Sequence, residues 1–330
     1  MKYDFVSFGD TTTDAFIRLK DARVNCDIND RNCMLCVKFG QKIPYESAEE
    51  VRAVGNGPNA AVAVCRLGLN AIPITDIGDD RNGKDCLSAL KKEGIGTEYV
   101  RVHSGLTTNY HYVLQYEAER TILVKHEEYP YVLPSFNEPP RYAYLTSLGT
   151  NSLSYQHAIA TYCRENNVKL SFQPGTFQIK LGSDTLRDVY EASKIFFCNK
   201  EEAQQILNRP AENDFKKLLE GIRALGPKIV SVTDGRNGAS IMDESGAYFS
   251  PMYPDPAPPV SRTGAGDATA STTTAYVAMG MPAPEALLRG LINAAYVVQQ
   301  VGAQKGLLSK EKIEDFYNKR PADFLARPLS

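Results

Sequence analysis

The chain has no excess of basic charge: 37 Lys and Arg stand against 39 Asp and Glu, a formal net charge of -2 over 330 residues. That balance cannot neutralise the phosphates of a nucleic-acid backbone, which argues against nucleic acid as a partner. No apolar stretch approaches the roughly 20 residues that a membrane-spanning helix needs, so no membrane association is expected. The segment Met1-Lys2-Tyr3-Asp4-Phe5-Val6-Ser7-Phe8-Gly9 lacks the apolar core of a secretory leader and reads as a first strand. Seven cysteines, an odd number, are scattered through a chain far too long for a disulfide-stapled miniprotein. Internal repeats and low-complexity segments are absent too, and the proline-rich stretch 251–259 is short enough to be a surface loop. What is present is ordinary globular composition, 43% hydrophobic and 23% charged, at a length suited to an enzyme. A cytoplasmic, reducing location is the expectation.

Short β-rich runs alternate with longer helical runs, the mark of a βαβ architecture whose parallel sheet is covered on both faces. Strands are expected at 5–8, 72–77, 142–148, 169–172, 193–198 and 228–232. Helices are expected at 60–69, 82–93, 154–166, 201–207, 215–225, 265–279 and 283–301, with Gly68 and Gly94 placed to end the first two. Two stretches break this rhythm. Residues 16–54 are polar, irregular and strand-like, and 100–125 alternate strand residues around a turn. Together they suggest a small antiparallel sheet projecting from the α/β body, positioned to cover a cleft.

Two nucleotide-site patterns almost match and fail on physical grounds. Gly55-Asn56-Gly57-Pro58-Asn59-Ala60 fits a dinucleotide fingerprint, but it lies some fifty residues into the chain rather than after the first strand. Gly78-Asp79-Asp80-Arg81-Asn82-Gly83-Lys84-Asp85 has P-loop spacing, yet it ends in a carboxylate where a hydroxyl must meet Mg²⁺. Capping of the next helix explains that turn more simply. The stronger motif is Thr263-Gly264-Ala265-Gly266-Asp267, directly before a long helix. Small residues at a helix start leave backbone N–H groups open to an anion, and the helix dipole adds to the attraction. Asp267 beside such a site is suited to taking a proton from an attacking hydroxyl.

With these residues the sequence resembles the ribokinase-like (pfkB) family of carbohydrate and nucleoside kinases over nearly its whole length. Gly264-Ala265-Gly266-Asp267 resembles the family's C-terminal signature. Gly55-Asn56-Gly57-Pro58-Asn59-Ala60, with Gly68 and Gly78 after it, resembles the N-terminal one. Gly9-Asp10-Thr11-Thr12-Thr13-Asp14 is similar to the early substrate turn, and Asn199-Lys200-Glu201-Glu202 to the N-x-x-E motif. Thr233-Asp234-Gly235 with Gly238, then Asn293-Ala294-Ala295 and Gly302-Ala303, match the nucleotide side.

The resemblance implies a three-layer α/β/α fold with a mostly parallel central sheet and a small antiparallel β lid. It implies one kinase domain, 1–330, with a lid from about 16–54 and 100–125 that excludes water. The implied activity is transfer of the γ-phosphoryl of ATP to a sugar hydroxyl, with a nucleoside kinase or a non-catalytic sugar binder on the same fold as alternatives. Asp267 would be the general base, and the amides of Gly264, Ala265 and Gly266 the anion hole. Asp14, Gly55, Gly57 and Asn59 would hold the acceptor. Asn199, Glu202, Thr233, Gly235, Gly238 and Asn293 would border the nucleotide, with Glu202 organising Mg²⁺ through water. A homodimer through the lid is a further implication.

Four residues, at three places in the chain, depart from the family pattern. Val54 stands where glycine is usual, and Gln173 where an acidic residue is common. Ser261-Arg262 replaces the usual Asp-Thr, which helps hold a monovalent cation in many members, so cation dependence is open. Either the Arg262 guanidinium supplies that positive charge or it pairs with a neighbouring loop. Cys26, Cys33 and Cys36 lie in the irregular stretch, the last two as C-x-x-C. They are expected mainly as small buried apolar side chains; a redox pair, or a metal site completed by His103, His111 and His126, are the alternatives. Arg120 is expected as solvated hairpin charge, or as a contact to an acidic or phosphorylated substrate. The Tyr110, Tyr112 and Tyr116 stripe is expected to pack within the lid, with stacking on a base or sugar as the alternative.

Overall fold

Strand β1 (Phe5–Phe8) is buried along its whole length, as a strand must be when sheet neighbours flank it and helices cover both faces. The computed structural model describes residues 2–26, 33–117 and 119–329. After β1 come four strands: β2 (Thr12–Leu19), β3 (Arg23–Asn25), β4 (Met34–Cys36) and β5 (Tyr45–Val54). Helix α1 (Asn56–Arg66) leads to β6 (Ala71–Gly78), α2 (Arg81–Lys92), β7 (Val100–His103), β8 (Asn109–Tyr116), β9 (Glu119–Leu123) and β10 (Tyr142–Leu145). Then follow α3 (Leu153–Glu165), β11 (Lys169–Phe172), α4 (Thr176–Leu181), α5 (Arg187–Ala192), β12 (Ser193–Asn199), α6 (Lys200–Ile206), α7 (Phe215–Arg223) and β13 (Ile229–Thr233). The chain ends with β14 (Ala239–Asp243), β15 (Gly246–Ser250), α8 (Ala265–Ala278), α9 (Ala283–Val297), α10 (Lys310–Asn318) and β16 (Arg327–Pro328).

Ten strands form the main sheet in the order β16-β15-β14-β13-β12-β11-β10-β1-β6-β7. The seven from β13 to β7 run parallel, and β14, β15 and β16 add an antiparallel edge. One apolar core, with Val6, Phe8, Leu145, Phe172 and Phe196, packs under α3, α5 and α7. A second, with Phe5, Tyr144, Ile195 and Ile241, packs under α1, α8 and α9 on the opposite face. The direction of strand addition reverses beside β1, since β6 lies on one side of it and β10 on the other. The crevice at such a reversal, beyond the carboxyl ends of the strands, is where open α/β sheets bind ligands.

A second sheet, in the order β5-β2-β8-β9, projects from this body. Its outer pairs are antiparallel and β2 runs parallel to β8. Residues 100–103, expected in this sheet, instead pair with β6 as the edge strand β7 of the main sheet. The sheet begins at Thr12 rather than at residue 16, because β2 continues directly from the turn after β1.

The cysteine expectation needs correction. Cys26 and Cys33 form a disulfide across the β3–β4 hairpin, and Cys36 is exposed, so none of the three is a buried apolar side chain. The alternative metal site is not formed either. His103, His111 and His126 each face an aspartate, and no cluster of three potential metal ligands occurs among the described residues. The P-loop-like turn is a helix cap, with Gly83 N–H donating to Asp80 Oδ1 at 2.9 Å.

Candidate active site

Helix α8 starts at the crevice and is built from small residues. Its Thr and Ser hydroxyls donate back to carbonyls one turn earlier: Thr269 to Ala265, Ser271 to Asp267 and Thr274 to Ala270. With small residues over most of its length, α8 is buried nearly all round and packs closely on α9, where Gly290 meets Thr269 and Thr273. Gly264 caps it in the left-handed region at φ 86°, and a Cβ there would overlap Ala303. Gly266 is exposed and a Cβ there would meet only Gln173 Nε2, at 3.7 Å. The first N–H groups of any helix lack intrahelical partners, so Gly264, Ala265 and Gly266 present an open, partly positive turn.

Asp267 lies in the first turn of α8, and three side-chain amides hold its carboxylate. Asn56 Nδ2 donates to Oδ1 at 2.9 Å, Gln173 Nε2 to Oδ1 at 3.2 Å, and Asn59 Nδ2 to Oδ2 at 2.9 Å. Two of these amides are themselves oriented. Tyr144 donates its hydroxyl to Gln173 Oε1, which turns the Gln173 nitrogen toward the carboxylate. Gln304 Nε2 donates to Asn59 Oδ1 at 3.0 Å and to the Ala53 carbonyl at 2.8 Å. A carboxylate oxygen accepts about two hydrogen bonds, so Oδ1 is filled while Oδ2 keeps a lone pair open. Burial pushes the Asp267 carboxyl above the ordinary range, and the three amides and the charge of Arg120 offset that only in part. A carboxylate fixed in orientation, with one free lone pair and raised basicity, is equipped to accept a proton.

Of the residues expected at the acceptor end, Asn59 reaches this carboxylate directly, and Gly55 leads into Asn56, which also holds it. Gly55 caps α1 at φ 112°, where a Cβ would overlap the Asp10 carbonyl, and Gly57 crosses Gly9 so closely that a Cβ would sit 2.9 Å from Gly9 Cα. Asp14 is buried on β2, level with His111 on β8, and His111 Nδ1 lies 3.3 Å from Asp14 Oδ1. Asp10 is buried; Tyr131 donates to its carboxylate at 2.9 Å, and His126 Nδ1 lies 3.6 Å from it. Burial raises the Asp10 carboxyl, with His126 and Tyr131 opposing and Asp76 reinforcing the shift. Asn56, Gln173, Asp10, His111 and His126 had not been picked out as acceptor or catalytic residues. For Gln173 the signal was its departure from the family pattern: an acidic side chain there would repel Asp267, whereas the amide donates to it.

At the other end, Asn199 and Glu202 cap α6 reciprocally: Glu202 N–H donates to Asn199 Oδ1 and Asn199 N–H to Glu202 Oε2, each at 2.8 Å. Burial raises the Glu202 carboxyl, and the charges of Glu201 and Asp267 push it the same way. Asn199 is level with Thr233 across β12 and β13. Gly235 opens the turn after β13 with nothing near its Cβ position, while Gly238 takes φ 104° where a Cβ would overlap the Ser250 carbonyl. Asn293 is placed elsewhere. It is fully buried, donating to Thr272 Oγ1 at 2.8 Å and accepting from Leu308 N–H at 2.9 Å, so its side chain braces α8, α9 and the following loop.

The two readings of Arg262 separate clearly. Its guanidinium lies 3.2 Å from Glu119 at the start of β9, tying the Gly-rich turn to the projecting sheet. Arg120, next along β9, is exposed, and its charge acts on Asp267. Within the tyrosine stripe, the Tyr110 and Tyr112 ring centroids are 5.1 Å apart and Tyr110 donates to Glu50 on β5 at 2.8 Å.

The pfkB family carbohydrate kinase profile matches residues 22–310. The chain belongs to the pfkB carbohydrate kinase family. As a pfkB protein it is a carbohydrate or nucleoside kinase. The ATP-dependent 6-phosphofructokinase of Thermoanaerobacterium thermosaccharolyticum is 25% identical to it over 278 residues, 80% of this pfkB chain and 84% of the relative. The structure of Arabidopsis thaliana ribokinase complexed with ribose and ATP shares its fold at TM-score 0.79 and 18% identity, covering 96% of this chain and 98% of that one. The nucleoside kinase of Methanocaldococcus jannaschii does so at TM-score 0.78 and 18% identity, over 97% and 99% of the two chains. No helix among the described residues is long and apolar enough to cross a membrane.

Proposed function

We propose that this kinase transfers the γ-phosphoryl group of ATP to a hydroxyl of a sugar, with Asp267 as general base. The observation that carries the reading is the Asp267 carboxylate, fixed by Asn56, Asn59 and Gln173 with a lone pair left on Oδ2 beside the open start of α8. In the step, the acceptor O–H gives its proton to Asp267 Oδ2 while its oxygen bonds to the γ-phosphorus. The bond from that phosphorus to the β-phosphate oxygen breaks, and ADP leaves. The amides of Gly264, Ala265 and Gly266 stabilise charge on the transferred group, an effect commonly worth about 3–4 kcal/mol per donor in related anion holes. Asp14, Gly55, Gly57 and Asn59 bind the acceptor, and Asn199, Thr233, Gly235 and Gly238 border the nucleotide. Asn293 supports that border from the core.

The residues fit Mg²⁺. Glu202 uses one carboxylate oxygen in the helix cap and keeps Oε1 free, and it sits in the field of Asp267 with no cation paired to it among the described residues. A hydrated Mg²⁺ held there through water would neutralise charge on the phosphates. The projecting sheet acts as the lid, closing the crevice against water and carrying Arg120 toward the reacting end. Its exposed Tyr45, Ile122 and Leu123 suit a lid-to-lid dimer, which solution scattering would detect. ADP release measured with Mg-ATP across pentoses, hexoses, sugar phosphates and nucleosides tests the function. An acceptor-dependent signal supports it; ATP binding without turnover on any acceptor points to a binding protein and contradicts it.

A further inference from the structure

Three buried polar atoms without hydrogen-bond partners gather on the acceptor side of the crevice: Asp14 Oδ1, His111 Nε2 and His126 Nδ1. Buried polar atoms in folded proteins are nearly always paired, so a group of orphans at a crevice implies that something else pairs them. The surrounding contacts place them beside Asp267. Gly55, whose backbone abuts Asp10, is followed by Asn56, which holds Asp267. On the other side Gln173 holds Asp267 and leads into α4, where Phe177 packs against His126 with ring centroids 5.6 Å apart. His126 in turn meets His111 edge-on at 5.3 Å. The two imidazoles, with Asp10 and Asp14 behind them, therefore wall the crevice opposite the base.

We propose that His111 and His126 are specificity-determining residues that select an uncharged, hydroxyl-bearing acceptor over its phosphorylated counterpart. This rests on the kinase reading of the same site. His111 Nδ1 lies 3.3 Å from Asp14 Oδ1 and His126 Nδ1 lies 3.6 Å from Asp10, in neither case as a hydrogen bond, so Asp14 Oδ1 stays an open acceptor and each imidazole nitrogen can donate or accept. A sugar hydroxyl both donates and accepts and pairs with all three. A phosphate dianion only accepts, and it would meet the Asp10 and Asp14 carboxylates. Tyr131 already donates to Asp10, so that carboxylate is anchored and not free to turn away.

The test pairs kinetics with imidazole nitrogen NMR. Ribose, fructose, their phosphates and adenosine are the probes, on the wild type and on His111→Ala, His126→Ala and the corresponding Gln variants. The wild type is expected to prefer the unphosphorylated acceptor. Each Ala variant should raise its KM on the order of tenfold or more, leave the KM for ATP unchanged, and narrow the preference over the phosphorylated form. Glutamine, which both donates and accepts, should restore part of the loss. Addition of the sugar should shift the His111 and His126 resonances. Sugar binding with these shifts but without turnover would support the wall and overturn the kinase reading. Turnover that favours a phosphorylated acceptor, or that ignores both substitutions, would overturn the proposal and leave the kinase reading intact. No binding and no turnover with any probe would overturn both.

Discussion

Asn59 donates from Nδ2 to Asp267 Oδ2 at 2.9 Å, joining the start of α1 to the start of α8 across 208 residues of sequence. The contact brings together the two signature segments of the family, one expected at the acceptor and the other at the base. Because Gln304 fixes the Asn59 amide from behind, the bond orients the carboxylate as well as partly offsetting its burial. The site depends on this geometry as much as on the presence of a carboxylate.

The pH dependence follows from the Asp267 environment. Only the ionised carboxylate takes a proton, so turnover falls as pH drops through its raised pKa, above the ordinary value of about 3.9. Gln173→Met removes a donor that stabilises the anion, so the acid limb of kcat should move to higher pH. Gln173→Glu should move it further by adding like charge. An acid limb that stays in place in both variants contradicts the assignment. The sign for stability is opposite: a raised carboxyl favours the fold at pH below the unfolded pKa, and that contribution is lost as pH rises through the folded one.

The two glycines of the turn should respond differently to the same substitution. Gly264→Ala puts a Cβ into Ala303 at positive φ and should lower the melting temperature by several degrees, about 1–3 kcal/mol. Gly266→Ala has room and should melt near the wild type; if the turn is the proposed anion hole, the methyl would stand in the way of the transferred group and turnover should fall. Thermal melts read beside kcat separate the two effects.

The Glu119–Arg262 pair is partly exposed, so its contribution to global stability should be small, about 0.2–1 kcal/mol. Its effect should appear in lid closure. Arg262→Ala should raise acceptor-independent ATP hydrolysis, and the charge swap Glu119→Arg with Arg262→Glu should restore part of the coupling. Unchanged background hydrolysis in Arg262→Ala would show that this pair does not hold the lid.

The Cys26–Cys33 bridge closes a loop within a surface hairpin, away from the sheet core. Reduction, or Cys26→Ser with Cys33→Ser, should leave the melting temperature within a few degrees of the wild type, because only local chain entropy changes. A large loss of stability would show that the hairpin supports the body.

Most of the parallel sheet was legible because each strand carries a short apolar run and each crossover helix a clear stop, as at 169–172, where expectation and structure coincide. The antiparallel edge was not. β14 and β15 turn through Glu244 and Ser245, and their mixed residues carry no strict alternation. The short helices α4 and α5 lack the turns needed for a visible period. Asp267 and the small-residue turn before it stand out in the sequence because they are contiguous. Gln173, His111 and His126 carry no local motif, and only the fold brings Gln173 to Asp267 and His111 to His126. The bridge was missed because an odd cysteine count in a long chain argues against one, although strand pairing brings Cys26 opposite Cys33.

The most direct test of the account is the Asp267→Asn variant, measured for nucleotide affinity by titration and for single-turnover phosphoryl transfer on the best acceptor. Turnover is predicted to fall by about 10²–10⁴ while the nucleotide Kd stays within a few-fold of the wild type. A variant that keeps wild-type turnover would contradict the assignment of Asp267 as the base.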